Sequence, residues 1–153
     1  MKINYIVIPL ITVIVASVGS FLTAGGMDWY KTIEKPAWTP PGGVTGAVWT
    51  LIFILTTISA LIVWNKGKQN KYFWLIIAVF LVNGFLNAFW SYLFFWKGLI
   101  GPAVWEAGLL GFSVLVLIAF IWRAFKTASL LLVPYFLWVV FATFLTYRVF
   151  LLN

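Results

Sequence analysis

The side chains that usually carry chemistry are scarce in this sequence. It has no cysteine and no histidine, and its only carboxylates are Asp28, Glu34 and Glu106. Without thiols there is no thiolate nucleophile, disulfide or thiolate metal site. Without imidazole, the commonest general base and the commonest metal and haem ligand are missing as well. Acid–base and metal catalysis are poorly provided for, and no metal or cofactor is expected. What the chain does carry is aromatic surface: ten Trp, six Tyr and fifteen Phe in 153 residues. Large flat rings bind by stacking and shape, so the chemistry on offer is binding or transport.

A few polar and bulky residues stand out by position. Asn83, Asn87, Ser91 and Phe94 follow i, i+4, i+8, i+11, with Trp90 beside them, which puts them on one helical face. An amide in hydrocarbon must find a partner, so this face points into a bundle. Asn83 reads as interhelical glue; Asn87 reads equally as glue or as a ligand-facing amide. Glu106 is the only carboxylate inside an apolar run. Such residues mark function when they face the interior; a headgroup-level position or a neutral Glu bonded to another helix are the alternatives. Trp49, Phe53 and Thr56 form one stripe, and Pro134, Trp138, Phe141, Ala142 and Leu145 another. Stripes at helical spacing serve as core, yet the small Ala142 beside Trp138 leaves room against a flat face, which suits a planar apolar ligand.

The elements that must hold these residues are membrane helices. The chain is 64% hydrophobic and 8% charged, with a mean hydropathy of +1.08, more apolar surface than a soluble fold of this size can hide. Runs of about 20 apolar residues predict spans over 6–24, 44–64, 72–95, 102–122 and 128–150. These give one all-α integral membrane domain over 1–153, a five-helix bundle with short antiparallel connections. Lys2 and the small residues of 20–25 imitate a signal peptide, but with four more spans following, the first run is read as part of the bundle. Pro134 is expected to bend the fifth span.

The first connection, WYKTIEKPAWTPPGGVTGAVW over 29–49, is rich in proline and glycine and is expected to be non-helical. It nevertheless holds Trp29, Tyr30, Trp38 and Trp49. Two readings stand: an interfacial anchor at headgroup level, or a lid that caps a pocket. With alternating helix direction, Trp49, Asn87, Trp90, Glu106, Trp138, Phe141 and Ala142 all fall in the half of the membrane beneath this loop. Lys2, Lys66, Lys68, Lys71, Arg123 and Lys126 lie on one side. Lys31, Lys35, Lys97 and Arg148 lie on the other, offset by Asp28 and Glu34. The positive-inside rule then places the N-terminus in the cytoplasm and the loop outside. Two small-residue stripes, Gly84/Ala88 and Ala103/Ala107/Gly111, allow close helix approach; Gly84 and Ala88 are preferred for a homodimer face.

Three stretches resemble the tryptophan-rich sensory protein and translocator protein family, also called the peripheral benzodiazepine receptor. The loop is similar to the family's WY…L.KP.W.PP….G..W pattern, NAFWSYLFF (87–95) to N..W…FF, and PYFLWVVFATFL (134–145) to PY..W..FAT.L; Glu106 falls where the family carries an acidic residue. The resemblance implies a five-helix bundle, usually dimeric, that binds porphyrins and benzodiazepine-type and isoquinoline ligands beneath the first loop. Carried over by motif, the pocket uses Tyr30, Trp38, Trp49, Phe53, Asn87, Trp90, Trp138, Phe141 and Ala142. It also implies a link to light- and oxygen-dependent porphyrin breakdown, with Trp49 and Trp138 as the redox candidates and porphyrin as ligand rather than cofactor. The animal members' cholesterol pattern fails here, since Arg148 directly follows Tyr147. The functions to weigh are, in order, a tetrapyrrole-binding receptor or carrier in a bacterial cell membrane, a proton-coupled exporter using Glu106, and an enzyme acting on porphyrin through Trp radicals. Nothing suggests a nucleic-acid partner.

Overall fold

Apolar runs of this length have one way to satisfy their backbone in a bilayer, which is to hydrogen-bond within a helix. In the computed structural model, which describes residues 2–153, helices α1 (Asn4–Gly25), α2 (Met27–Thr32), α3 (Gly42–Lys66), α4 (Phe73–Ser91), α5 (Ile100–Trp122), α6 (Lys126–Leu130) and α7 (Val133–Leu152) follow one another. No strand occurs among the described residues. Five segments are long and apolar enough to cross a membrane: Asn4–Gly25, Gly42–Lys66, Phe73–Trp96, Ile100–Trp122 and Lys126–Leu152. The expected all-α five-span membrane protein is what forms.

Side-chain contacts fix the alternation of direction. Asn4 Nδ2 donates to Asn65 Oδ1 at 3.2 Å, joining the start of α1 to the end of α3. At the other face, Asn153 beyond α7 bonds the backbone of Glu34 in the first connection. Helix α5 is the axis. Ala103, Ala107, Leu110, Val114, Leu117 and Ile121 are buried at alternating steps of four and three, the spacing of a seam that packs against near-parallel neighbours. It lies between α4 and α7. Helix α1 is peripheral: it packs on α3 and α4, and Asn4 is its one buried residue.

The structure departs from the sequence reading in four places. The first connection is not wholly irregular, because Met27–Thr32 forms α2, with Asp28 in its first turn and Lys31 in its last, bonded at 3.1 Å. Its prolines all lie later, and Pro41 caps α3, which starts at Gly42, two residues earlier than expected. The third span ends as a π-helix, Tyr92–Trp96, in which Lys97 N–H reaches back to Tyr92 C=O at 2.9 Å. The fifth span is broken rather than bent. Helix α6 ends at Leu130, α7 begins at Val133, and Pro134 sits in the first turn of α7, where its missing N–H costs nothing. Helix α5 begins at Ile100, so Glu106 lies nearly two turns inside rather than one.

Candidate functional site

The lid is a folded layer. Gly26 turns the chain from α1 into α2, so close to the end of the third span that a Cβ there would overlap the carbonyl of Phe95. Helix α2 then lays Trp29 and Tyr30 on the π-helix. Trp29 meets Phe94 edge-on at 5.6 Å, and Tyr30 lies 6.1 Å from Phe94 and 5.3 Å from Phe95. Gly98, at φ +66, presses on the Trp29 indole, with 3.0 Å from its ideal Cβ position to the ring. Lys35 Nζ donates to the Tyr30 and Ile33 carbonyls at 2.7 and 2.9 Å, with its ammonium 4.6 Å from the Tyr30 ring centroid. The side-chain amide of Asn153 clasps the irregular segment beyond: it accepts from Glu34 N–H at 3.0 Å and donates to Glu34 C=O at 2.9 Å. Trp38 stacks on Phe144 at 5.7 Å and 11°, and leans on Phe141 at 5.9 Å.

Tyr30 gives the lid a pH signature. Burial pushes its hydroxyl above the ordinary value of 10.0. The seated lid therefore favours the neutral phenol. Its contribution is complete below pH 10 and is lost as the pH rises past that value, where the phenol of an open lid ionises first. Cleavage of the 29–43 segment by an alkaline-stable protease is expected to accelerate above pH 10 in the wild type, and to show no such step in Tyr30→Phe.

The sequence-nominated residues fall into three groups. Tyr30 and Trp90 belong to the π-helix cluster, Trp90 stacking on Phe94 at 5.0 Å and 9°. Trp38, Phe141 and Trp138 form a run from lid to bundle, with Trp138 and Phe141 centroids 5.2 Å apart. Ala142 follows on the same helix, half-buried. Trp49 and Phe53 are 5.8 Å apart on α3, and Trp49 meets Tyr135 edge-on at 5.9 Å. Phe53 and Asn87 also line a cavity of about 360 Å³ that runs between α1, α3 and α4 toward the side away from the lid. Gly84 faces α1 of the same chain, 3.3 Å from its ideal Cβ position to Val15 Cγ2, so that small face is occupied by intrachain packing. On the opposite flank, Ala107, Gly108 and Gly111 line an open groove between α5 and α7.

Three polar groups in the bundle are buried without a protein partner: the indole N–H of Trp90, the indole N–H of Trp138, and both oxygens of Glu106. Glu106 is 4% exposed and faces inward between Ala103 and Ala107. Unpaired polar atoms in an apolar bundle are costly, a carboxyl most of all. Asn87 is different. Its amide donates to Tyr135 Oη at 3.0 Å, Tyr135 donates to Asn83 Oδ1 at 3.1 Å, and Asn83 Nδ2 donates to Ser113 Oγ at 2.8 Å. Asn83 therefore ties α4 to α5 and α7, and Asn87 ties it to α7. Sequence reasoning missed Tyr135, although its place directly after Pro134 in a quoted motif was a signal. It also missed Phe94 and Phe95 as the seat of the lid.

A sequence profile of the TspO/MBR family matches residues 6–152. The tryptophan-rich protein TspO of Bacillus cereus is 35% identical over 154 residues, covering 100% of this chain and 99% of that one. The protein of the same name from Archaeoglobus fulgidus is 40% identical over 141 residues, 88% of this chain and 87% of that one. The human translocator protein is 30% identical over 137 residues, 86% and 79% respectively. A profile match over nearly the whole length, relatives of the same length and five spans lead to one conclusion: the chain belongs to the TspO/MBR family and is a multi-pass protein of a bacterial cell membrane.

Proposed function

We propose that the protein is a membrane receptor or carrier that holds planar, porphyrin-like tetrapyrroles, and apolar drug-like molecules of benzodiazepine type, under its first connection. The observation that carries this reading is the set of buried, unpartnered polar groups on three helices of the bundle: Trp90 and Glu106 in the lid-side halves of α4 and α5, and Trp138 near the middle of the fifth span. They need a ligand with hydrogen-bond acceptors for two indoles and a donor for a carboxyl. A tetrapyrrole offers both, through peripheral carboxylates and ring N–H groups, and its flat face suits Trp138 and Trp49. The relatives' names, tryptophan-rich protein and translocator protein, support a receptor or transport role. With no histidine or cysteine in the chain, the ring would be held by stacking and shape rather than by strong axial ligation.

Titration of the detergent-solubilised protein with protoporphyrin IX, read by quenching of Trp fluorescence, tests this. Saturable quenching at micromolar or lower concentration is expected in the wild type. In Trp138→Phe/Ala142→Leu, which removes one indole N–H and fills the space beside it, affinity is expected to fall at least about tenfold, the equivalent of about 1.4 kcal/mol. Linear quenching, equal in both proteins, would mean that the porphyrin only partitions into the micelle.

A further inference from the structure

The cavity that Phe53 and Asn87 share extends away from the lid, toward the Asn4–Asn65 end of the bundle. At about 360 Å³ it is within the size range of small-molecule sites. It exists because α3 and α4 make little direct contact, and α1 lies across the gap between them. We propose that this cavity is a second binding site, taking a neutral, membrane-dissolved amphiphile with one hydrogen-bonding oxygen, a long-chain alcohol in its simplest form, which enters from the bilayer and meets Thr56. The cavity adjoins the lid-side pocket through Phe53 and Asn87, but its hydrogen-bonding contact, Thr56, belongs to the cavity alone.

The character of the wall selects this ligand. Among the described residues no Asp, Glu, Lys or Arg lines the cavity, so a charged head would be desolvated there without compensation. Aromatic and aliphatic side chains, Phe53, Ala60, Trp64 and Trp74 among them, supply apolar surface. The polar side chains of the wall are largely committed to one another. Asn4 bonds Asn65, and Asn83, Asn87 and Tyr135 bond in sequence. Thr12 donates to Ile8 C=O and lies 2.9 Å from the Thr57 hydroxyl.

Thr56 is the exception. Thr12, Thr50, Thr57, Thr143 and Thr146 each donate to the carbonyl four residues back, the usual refuge of a hydroxyl in a membrane helix. Thr56 Oγ1 is buried and makes no bond, and its residue lines the cavity. A hydroxyl both donates and accepts, so one alcohol or carbonyl oxygen satisfies it. The exposed residues of the wall, Ile3, Val7 and Ile11 on α1 and Trp74 and Leu81 on α4, lie on the apolar outer face of the bundle, which makes the bilayer the source of the ligand.

The test uses the full chain in neutral phosphatidylcholine nanodiscs and a long-chain alcohol bearing a photoreactive diazirine next to the hydroxyl. Saturable labelling mapped to the Phe53–Ala60 peptide is expected. Unlabelled hexadecanol should displace it at a concentration about tenfold lower than hexadecane, the span of one buried hydrogen bond. Thr56→Val, which keeps the side-chain shape, should weaken binding by a similar factor, and Ala60→Phe should abolish it by filling the space. The hexadecanol-to-hexadecane ratio is read on the wild type, so it decides the matter even where Ala60→Phe fails to fold. Labelling that rises linearly, equal competition by alcohol and alkane, unchanged affinity in Thr56→Val, or saturable labelling confined to the lid-side residues around Trp138 would each overturn the proposal.

Discussion

Gly26→Val is expected to lower the midpoint of thermal unfolding in detergent by on the order of 10 °C and to unseat the lid. A side chain at this corner has no flexible neighbour to displace. It meets the carbonyl group of Phe95, and its Cβ would lie 2.7 Å from the Phe95 Cβ. Either α1 and α2 or the π-helix must move as a unit. Overpacking of this kind costs about 1–3 kcal/mol even where side chains can adjust. Against backbone the cost should be about 3 kcal/mol, and at roughly 2–4 °C per kcal/mol for a chain of this size the shift follows. Gly26 has φ −103, so the effect is steric and owes nothing to a glycine-only backbone conformation. Gly46→Ala is the matched control. Nothing lies within 4 Å of a Cβ there, and alanine is the better helix former by about 1 kcal/mol, so that variant should be slightly stabilised. A Gly26→Val protein that melts with the wild type would show that the corner is not tightly packed.

Tyr135→Phe is expected to cost about 2–4 kcal/mol, measured by denaturant unfolding followed by circular dichroism, although it removes a single oxygen. That oxygen is the middle of a one-directional relay from Asn87 through Asn83 and Ser113 to the carbonyl of Leu110. Each link polarises the next. Deleting it leaves the Asn87 amide without its acceptor and Asn83 Oδ1 without its donor, at about 1–3 kcal/mol per stranded group. Ser113→Ala removes an end of the same relay and should cost less. A loss below about 0.5 kcal/mol in Tyr135→Phe would mean that the two asparagines find other partners.

These variants also show which features are legible in sequence. The spans can be read because hydropathy over twenty residues is a sum that single substitutions hardly change, and the bundle follows from it. Asn83 reads correctly as interhelical glue, since a mid-membrane amide has few alternatives. Tyr135 does not announce itself: an apolar ring with a hydroxyl fits any core, and its partners lie 48 and 52 residues away. Helix α2 carries a short-range signal, Asp28 and Lys31 at opposite ends, which the prolines at 36, 40 and 41 outweigh when the stretch is read whole. The π-helix has no compositional mark. The unpartnered Trp90 and Trp138 indoles cannot be read either, because a buried Trp usually finds an acceptor and only coordinates show that these do not.

The π-helix has one more consequence, which concerns chain length. A wide turn of this kind holds one residue more than an α-helix of the same rise. The extra residue lets adjacent rings, Phe94 and Phe95, both reach Tyr30. Deleting Leu93 would restore a regular ladder while leaving Asn87 before it and Gly98 after it in their present registers. The lid would then have one ring to rest on instead of two, and Leu99 N–H would lose the Leu93 carbonyl that it bonds at 2.9 Å. The span from 73 to 96 thus holds one residue more than an α-helix of the same rise, and that residue serves the first connection, some sixty positions earlier in the chain.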